Sequence, residues 1–329
     1  MPIARSIARA GARSMPSVTS QLRGFIEVMG GKGSVERVSD PLAIGVIGAG
    51  PWARMVTGPL LAAGPQTRVT GVWSRTAAHA DELASQLSVP AFSELDALFD
   101  ECDAVAIAVA PEAQPAIAEA AAKAGKALLL EKPLSADVAG AQQVADVVQA
   151  TGVGALVMLS NRFNPALDQF VSDAAKVQPF GGRGCFISGA FLGGPFAHGW
   201  RLERGAVLDI GPHLLDLLEA ALGEIVDVSA SGDPLGAVSV ICTHATGASS
   251  SALMCCSAPT ESRTEVEMFG ARGTAMYDGR NIDHRLFADR LRRDLVAVAR
   301  GADHPANVAR ASHLQRVIDE IEAQVWTRT

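Results

Sequence analysis

Three short clusters hold the side chains whose types and spacing could do chemistry. Gly48-Ala49-Gly50-Pro51-Trp52-Ala53 follows an apolar run directly. A G-x-G-x-x-[GA] pattern between a strand and a helix presents backbone N–H groups and a helix N-terminus to an anion, so this is a candidate phosphate cradle. Glu131-Lys132-Pro133 follows a second apolar run, and Asp209, Gly211, Pro212, His213 and Asp216 share a third segment. A histidine takes or gives a proton near neutrality, and a lysine stabilises an oxygen that gains negative charge. Oxidation of a secondary alcohol needs both, because the hydroxyl proton must leave as hydride leaves carbon. Singly, each group has a plainer reading: Lys132 as a turn lysine, His213 as a half-buried histidine, Asp209 as a helix cap. Behind a dinucleotide turn, the three together point to catalysis.

Within the turn, Gly48 permits the sharp bend, Gly50 lets backbone approach a pyrophosphate, and Ala53 allows close helix-on-strand packing. The next strand closes on Val72-Trp73-Ser74-Arg75-Thr76, and no acid occurs between Gly64 and Ala80. A carboxylate there would grip the ribose hydroxyls of NAD, whereas an arginine suits the extra phosphate of NADP. NADP is therefore expected ahead of NAD; a solvated Arg75 would leave the choice open. The expected cofactor contacts are Gly48, Gly50, Pro51, Trp52, Ala53, Ser74, Arg75, Thr76, Ala110, Pro111, Glu131 and Lys132.

The elements that must position these residues follow from the hydrophobic pattern. From Pro41, short apolar runs (Leu42–Ile47, Arg68–Ser74, Ala104–Ala110, Ala127–Leu130, Val153–Leu159) alternate with alanine-rich helical stretches such as Glu112–Ala124 and Asp137–Ala150, the latter with Ser135 as its expected N-cap. Such alternation predicts an α/β, doubly wound parallel sheet. Beyond Arg162 the pattern predicts a helix over Ala166–Lys176, a strand over Cys185–Phe191, a glycine-rich loop and a helix opening at Pro212 and running to Leu222. Strands then follow one another at Ile225–Ser231, Ala237–His244, Ser250–Cys256, Thr264–Phe269 and Ala275–Tyr277, before helices near Arg285–Arg300 and Ala306–Trp326. Strands without intervening helices imply an α+β half on a largely antiparallel sheet. With Pro212 at a first helical position, His213 is expected in the opening turn.

The 329 residues allow two domains. We divide the chain into a flexible basic extension (1–40), a Rossmann domain (41–162) and an α+β substrate-binding and oligomerisation domain (163–329). Residues 1–40 carry a net charge of +3 and the remainder −10. Arg5, Arg9 and Arg13 give the extension a superficial likeness to a transit peptide, although a disordered arm, or a start at Met15 or Met29, accounts for it more simply. The acidic body argues against a nucleic-acid-binding surface, and no apolar run approaches the roughly 20 residues of a membrane span. Five cysteines in no metal or redox spacing suit a reducing cytoplasm, and no metal is expected.

The glycine turn, Glu131-Lys132-Pro133 and Asp209-x-Gly211-x-His213, in that order, resemble the Gfo/Idh/MocA family, which includes glucose-fructose oxidoreductase and inositol dehydrogenase. The likeness runs from about residue 42 to the C-terminus and takes in Asn161-Arg162-Phe163-Asn164-Pro165 and Gly270-Ala-Arg-Gly273. It implies that Lys132, Asp209 and His213 converge beside the nicotinamide: His213 as general acid/base, Lys132 on the substrate oxygen, Asp209 orienting the imidazole. It further implies a sugar, inositol or similar polyol as substrate, and a homo-oligomer, dimer or tetramer. Arg162, Trp200 and Arg201 are expected to line the substrate pocket with the catalytic three, while Asp216 supports the helix. Some patterns depart: the histidine that often follows a Thr-Pro pair is missing from Ala110-Pro111-Glu112-Ala113-Gln114, a second before the lysine motif is replaced within Lys126-Ala127-Leu128, and Gly205 stands alone where two glycines are common. NAD-dependent glycosidases and non-catalytic nucleotide sensors share the architecture. A sensor has no need of the three groups in register.

Overall fold

The computed structural model describes residues 40–327, so the basic extension lies outside the described residues except for Asp40. Six strands form the first sheet: β1 (Leu42–Ile47), β2 (Thr67–Trp73), β3 (Ala91–Phe92), β4 (Ala104–Ile107), β5 (Ala127–Leu130) and β6 (Ala155–Val157). They are all parallel and ordered β3-β2-β1-β4-β5-β6. The connections are a π-helical turn (Ala53–Thr57) leading into α1 (Gly58–Ala62), then α2 (Ala77–Leu87), α3 (Leu95–Asp100), α4 (Gln114–Lys123) and α5 (Val138–Thr151). Helices on both faces explain why β1, β4 and β5 read as continuous apolar runs, with Ile44, Val46, Ala106 and Leu130 fully buried. The chain reverses direction across the sheet between β1 and β4, and the crevice at their carboxyl ends is where such sheets take ligands.

A 3₁₀ turn (Ser160–Phe163) and α6 (Pro165–Val177) lead to the second half. There, β7 (Pro179–Ile187) is followed by α7 (Trp200–Arg204) and α8 (Ala206–Leu222), then by β8 (Ile225–Gly232), β9 (Ala237–His244), β10 (Ser249–Cys255), β11 (Arg263–Gly270) and β12 (Gly273–Asp278). The sheet order is β12-β11-β7-β10-β9-β8, antiparallel at every pairing except β7 with β10. One face is covered. In β9, Val238, Val240, Cys242 and His244 are buried beneath α8, while Ser239, Ile241 and Thr243 face outward. The closing helices α9 (His284–Ala299) and α10 (Val308–Trp326) return to the first half. Arg292 donates from Nη1 to the Leu60 carbonyl at 3.0 Å, and Gln66 Nε2 donates to Asp289 at 2.7 Å.

Three local expectations need correction. β7 occupies Pro179–Ile187, not Cys185–Phe191. Its Phe180-Gly-Gly-Arg-Gly-Cys185 start is masked by glycines, which are depleted in strands. They are required here, because a Cβ on Gly182 would lie 2.7 Å from Met268 Sδ and one on Gly184 2.9 Å from Leu214. α8 begins at Ala206, six residues before Pro212, so Pro212 sits inside the helix and His213 is a mid-helix residue. The N-cap of α5 is Asp137, which accepts from the Gly140 N–H at 2.8 Å, rather than Ser135.

Candidate active site

The carboxyl ends of β1, β2, β4 and β5 and the loop 188–205 of the second half enclose one cleft of about 880 Å³. At its floor, Gly48 has φ +102°, and a Cβ there would meet the Ala108 carbonyl at 2.2 Å. Only glycine fits. A Cβ on Gly50 would meet nothing within 4 Å, so the space beside its backbone is left for a ligand. The helix starts at Pro51, with Arg54 N bonding to Gly50 O at 3.1 Å, which leaves the N–H groups ahead of it without helical partners. Ser74, Arg75 and Thr76 line the same cleft from the end of β2; Arg75 is exposed and makes no ion pair among the described residues. Ala110 and Pro111 line it from the β4 loop. Ala53 does not: it is fully buried beneath the turn, where its small side chain serves packing. These features fit a dinucleotide, with anion-facing backbone at the turn and no carboxylate at the end of β2.

The lysine motif lies above the floor. Gln114, buried at the start of α4, donates from Nε2 to the carbonyls of Glu131, Pro133 and Leu134 at 2.8–3.2 Å and accepts from the Glu131 N–H at 2.9 Å. This amide fixes the backbone around Lys132. It comes from the segment in which the family histidine is missing, and no spacing rule pointed to it. The Glu131 carboxylate accepts from Trp52 Nε1 at 2.7 Å and from Thr57 at 3.3 Å. Burial pushes its pKa up to about 7, against the pull of Lys132, the two hydrogen bonds and Arg201.

Lys132 donates from Nζ to the Asp209 carbonyl at 2.7 Å and to its Oδ1 at 2.8 Å, and Arg201 approaches the same Oδ1 at 3.4 Å. Burial alone would raise the Asp209 pKa, but the two cations and the Lys132 hydrogen bond hold it below the usual carboxylate range. His213, one helical turn on, is buried, and its pKa falls to about 3 through desolvation and then the Lys132 charge, partly offset by Asp209. No side-chain hydrogen bond joins Asp209 to His213 among the described residues. The carboxylate expected to orient the imidazole is instead engaged by Lys132 and Arg201, and the group next to His213 Nδ1 is Ser160 Oγ at 3.5 Å.

The loop side is aromatic. The Arg201 guanidinium stands 4.5 Å from the Trp200 ring centre and 5.6 Å from that of Phe196, which meets Trp52 edge-on at 5.9 Å. Lys132, Trp200, Arg201, Asp209 and His213 therefore share the cleft. Arg162 is not brought to it: this residue forms a two-pronged pair with Asp216 at 2.6 and 2.8 Å, turned away from the cleft. Asp216 also receives Arg310 at 2.9 Å, so the acid supports the helix. Among the described residues, no cluster of His, Cys, Asp and Glu gathers as a metal site, all five cysteines are free, and no helix is long and apolar enough to cross a membrane.

Comparison with known proteins finds two family models along the chain. A family model described as an oxidoreductase family with an NAD-binding Rossmann fold matches residues 42–159, and the model of the GFO/IDH/MocA C-terminal domain matches residues 141–276. The chain is 29% identical over 192 residues to D-apiose dehydrogenase of Paraburkholderia graminis, covering 53% of this chain and 50% of that protein. It is 31% identical over 189 residues to UDP-N-acetylglucosamine 3-dehydrogenase of Acidithiobacillus ferrooxidans, covering 57% of each. The matched stretch thus spans about half the length of these relatives. In fold, the chain is similar to GenD2 from gentamicin A biosynthesis, solved in complex with NAD: TM-score 0.78, 19% identity, 91% of this chain and 98% of that one.

Proposed function

The chain belongs to the Gfo/Idh/MocA oxidoreductase family, and from that premise we propose that it transfers a hydride between a nicotinamide cofactor and a secondary alcohol or ketone of a sugar, inositol or similar polyol. The observation that carries this reading is the meeting of Lys132, Asp209 and His213 in the cleft that the dinucleotide turn opens. When bound, the nicotinamide supplies the hydride acceptor or donor. Lys132, held by the Asp209 carboxylate and carbonyl, offers its remaining N–H to the substrate oxygen and stabilises negative charge there. His213 is neutral at physiological pH, and its Nε2 has no hydrogen-bond partner among the described residues, so this nitrogen is the proton acceptor in alcohol oxidation. Trp200, Arg201 and Phe196 supply an apolar plane and a donor fork to the sugar face of the cleft.

The cofactor in this reading is NADP ahead of NAD. Support comes from Arg75, exposed and without an ion pair among the described residues, and from the lack of any carboxylate from Ser74 to Thr76. Arg75→Ala should weaken NADPH binding by on the order of tenfold while leaving NADH binding nearly unchanged. Tighter binding of NADH than NADPH by the unaltered protein would reverse the assignment. Five free thiols suit a reducing compartment, the cytoplasm in this account. The outward face of the second sheet, where Ile241, Leu253 and Met276 stand exposed, would meet a second copy in a dimer or tetramer.

A further inference from the structure

Resting on that reading of the site, the geometry points to Ser160 as a positioning residue that fixes the tautomer of His213, keeping the proton on Nδ1 and the lone pair of Nε2 toward the cleft. The argument begins with hydrogen-bond capacity. A neutral imidazole carries one proton on two nitrogens, and the partner of one nitrogen decides the state of the other. His213 is buried in the middle of α8, and Ser160 Oγ, 3.5 Å from Nδ1, is its only side-chain hydrogen-bond neighbour among the described residues. The charged groups around it are Lys132 from the end of β5 and Asp209 from its own helix, while Phe186 faces it from β7 with ring centres 6.3 Å apart. Lys132 and Asp209 are engaged with each other. A serine hydroxyl can donate or accept, but only acceptance from Nδ1–H leaves Nε2 able to receive a substrate proton.

The contact sits in a register held from both sides. Two residues after Ser160, Arg162 grips Asp216, which lies three residues after His213 on α8, so the 3₁₀ turn and the helix are joined by a buried ion pair beside the Ser160–His213 contact. On the far side of the turn, Asn161 accepts from the Tyr277 hydroxyl at 2.9 Å, and Asn164 donates to that same oxygen at 3.1 Å. Phe163 is fully buried, stacked near His304 and edge-on to Phe287. This gives Arg162 a task although it stays out of the cleft: it holds the segment that presents Ser160. The hydroxyl also does what the sequence assigned to Asp209.

The test is ¹⁵N-histidine nuclear magnetic resonance of the whole chain without substrate, with the His213 signals assigned by their loss in His213→Asn. The unaltered protein should show His213 protonated at Nδ1 and bare at Nε2. Ser160→Ala should move the proton to Nε2, and Ser160→Thr, which keeps the hydroxyl, should restore the original pattern. The other six histidines report that each variant is folded. A proton on Nε2 in the unaltered protein, or an unchanged pattern in Ser160→Ala, overturns the assignment. Because the readout needs no turnover, it stands or falls separately from the dehydrogenase reading, which an absence of nicotinamide-linked turnover would sink.

Discussion

Replacing His213 by Gln should change how stability depends on pH, because a buried imidazole that resists protonation destabilises the fold progressively in acid. Its pKa lies near 3 in the folded chain against an ordinary 6.5. Below pH 6.5 the unfolded chain takes up a proton that the folded chain refuses, so stability is fully present above 6.5 and is lost as pH falls toward 3. The slope is about 1.4 kcal/mol per pH unit, which makes the loss about 3 kcal/mol at roughly pH 4.5. Urea unfolding of the native chain and His213→Gln between about pH 4.5 and 7.5 measures it as a difference, in which carboxylates common to both chains cancel. The native chain should lose ground to the variant across the acid half of the range and run parallel to it above pH 7. A flat difference from pH 6.5 downward would refute the reasoning: His213 would then be protonated as readily in the fold as outside it, with no neutral acceptor held ready.

Three further outcomes follow from the same geometry. Lys132→Met leaves the buried Asp209 carboxylate with Arg201, at 3.4 Å, as its one ion-pair partner among the described residues and should cost about 3 kcal/mol of stability. The double variant with Asp209→Asn should lose at least about 1 kcal/mol less than the sum of the single changes in a denaturation cycle. Glu131→Gln should be stabilised relative to the native chain as pH rises from 4.5 toward 7, because a carboxyl whose pKa is raised to about 7 by burial is favourable only while protonated; linkage puts the relative gain between pH 5 and 8, read by unfolding, at about 2.5 kcal/mol. Gly48→Ala combines a φ of +102° with a contact of 2.2 Å to the Ala108 carbonyl. It should cost more than about 1–3 kcal/mol of backbone strain and abolish NADPH binding in a calorimetric titration.

The Rossmann half was legible in the sequence because its signals are local. Apolar runs such as Ala127–Leu130 are buried on both faces, and the glycine turn needs only its own strand and helix. The short β3, paired at just Val72 with Ala91 and Trp73 with Phe92, left no run to read. In the second half, β7 was obscured because its glycines answer to close neighbours on other elements, Met268 and Leu214, which no window of sequence reveals. The start of α8 was misplaced because Pro212 is a helix-start signal, and tertiary burial of the whole segment from Ala206 overrides it. At the site, residue types and order led to Lys132, Asp209 and His213, whereas their pairing depended on side-chain direction. Ser160, Gln114 and Phe196 escaped notice, since a serine, a glutamine and a loop phenylalanine carry no spacing signature. Arg162 was expected to line the substrate pocket, but Asp216 claims it.

The most direct measurement is nicotinamide reduction and oxidation across a panel of polyols, inositols, aldoses and nucleotide-linked sugars, with NADP and NAD in parallel and Lys132→Ala as control. Net change in the cofactor's absorbance with at least one panel member, lost by a factor of about 100 or more in Lys132→Ala, is the predicted result. Equal turnover in the control, or tight nucleotide binding with no net cofactor change for any substrate, would contradict the account.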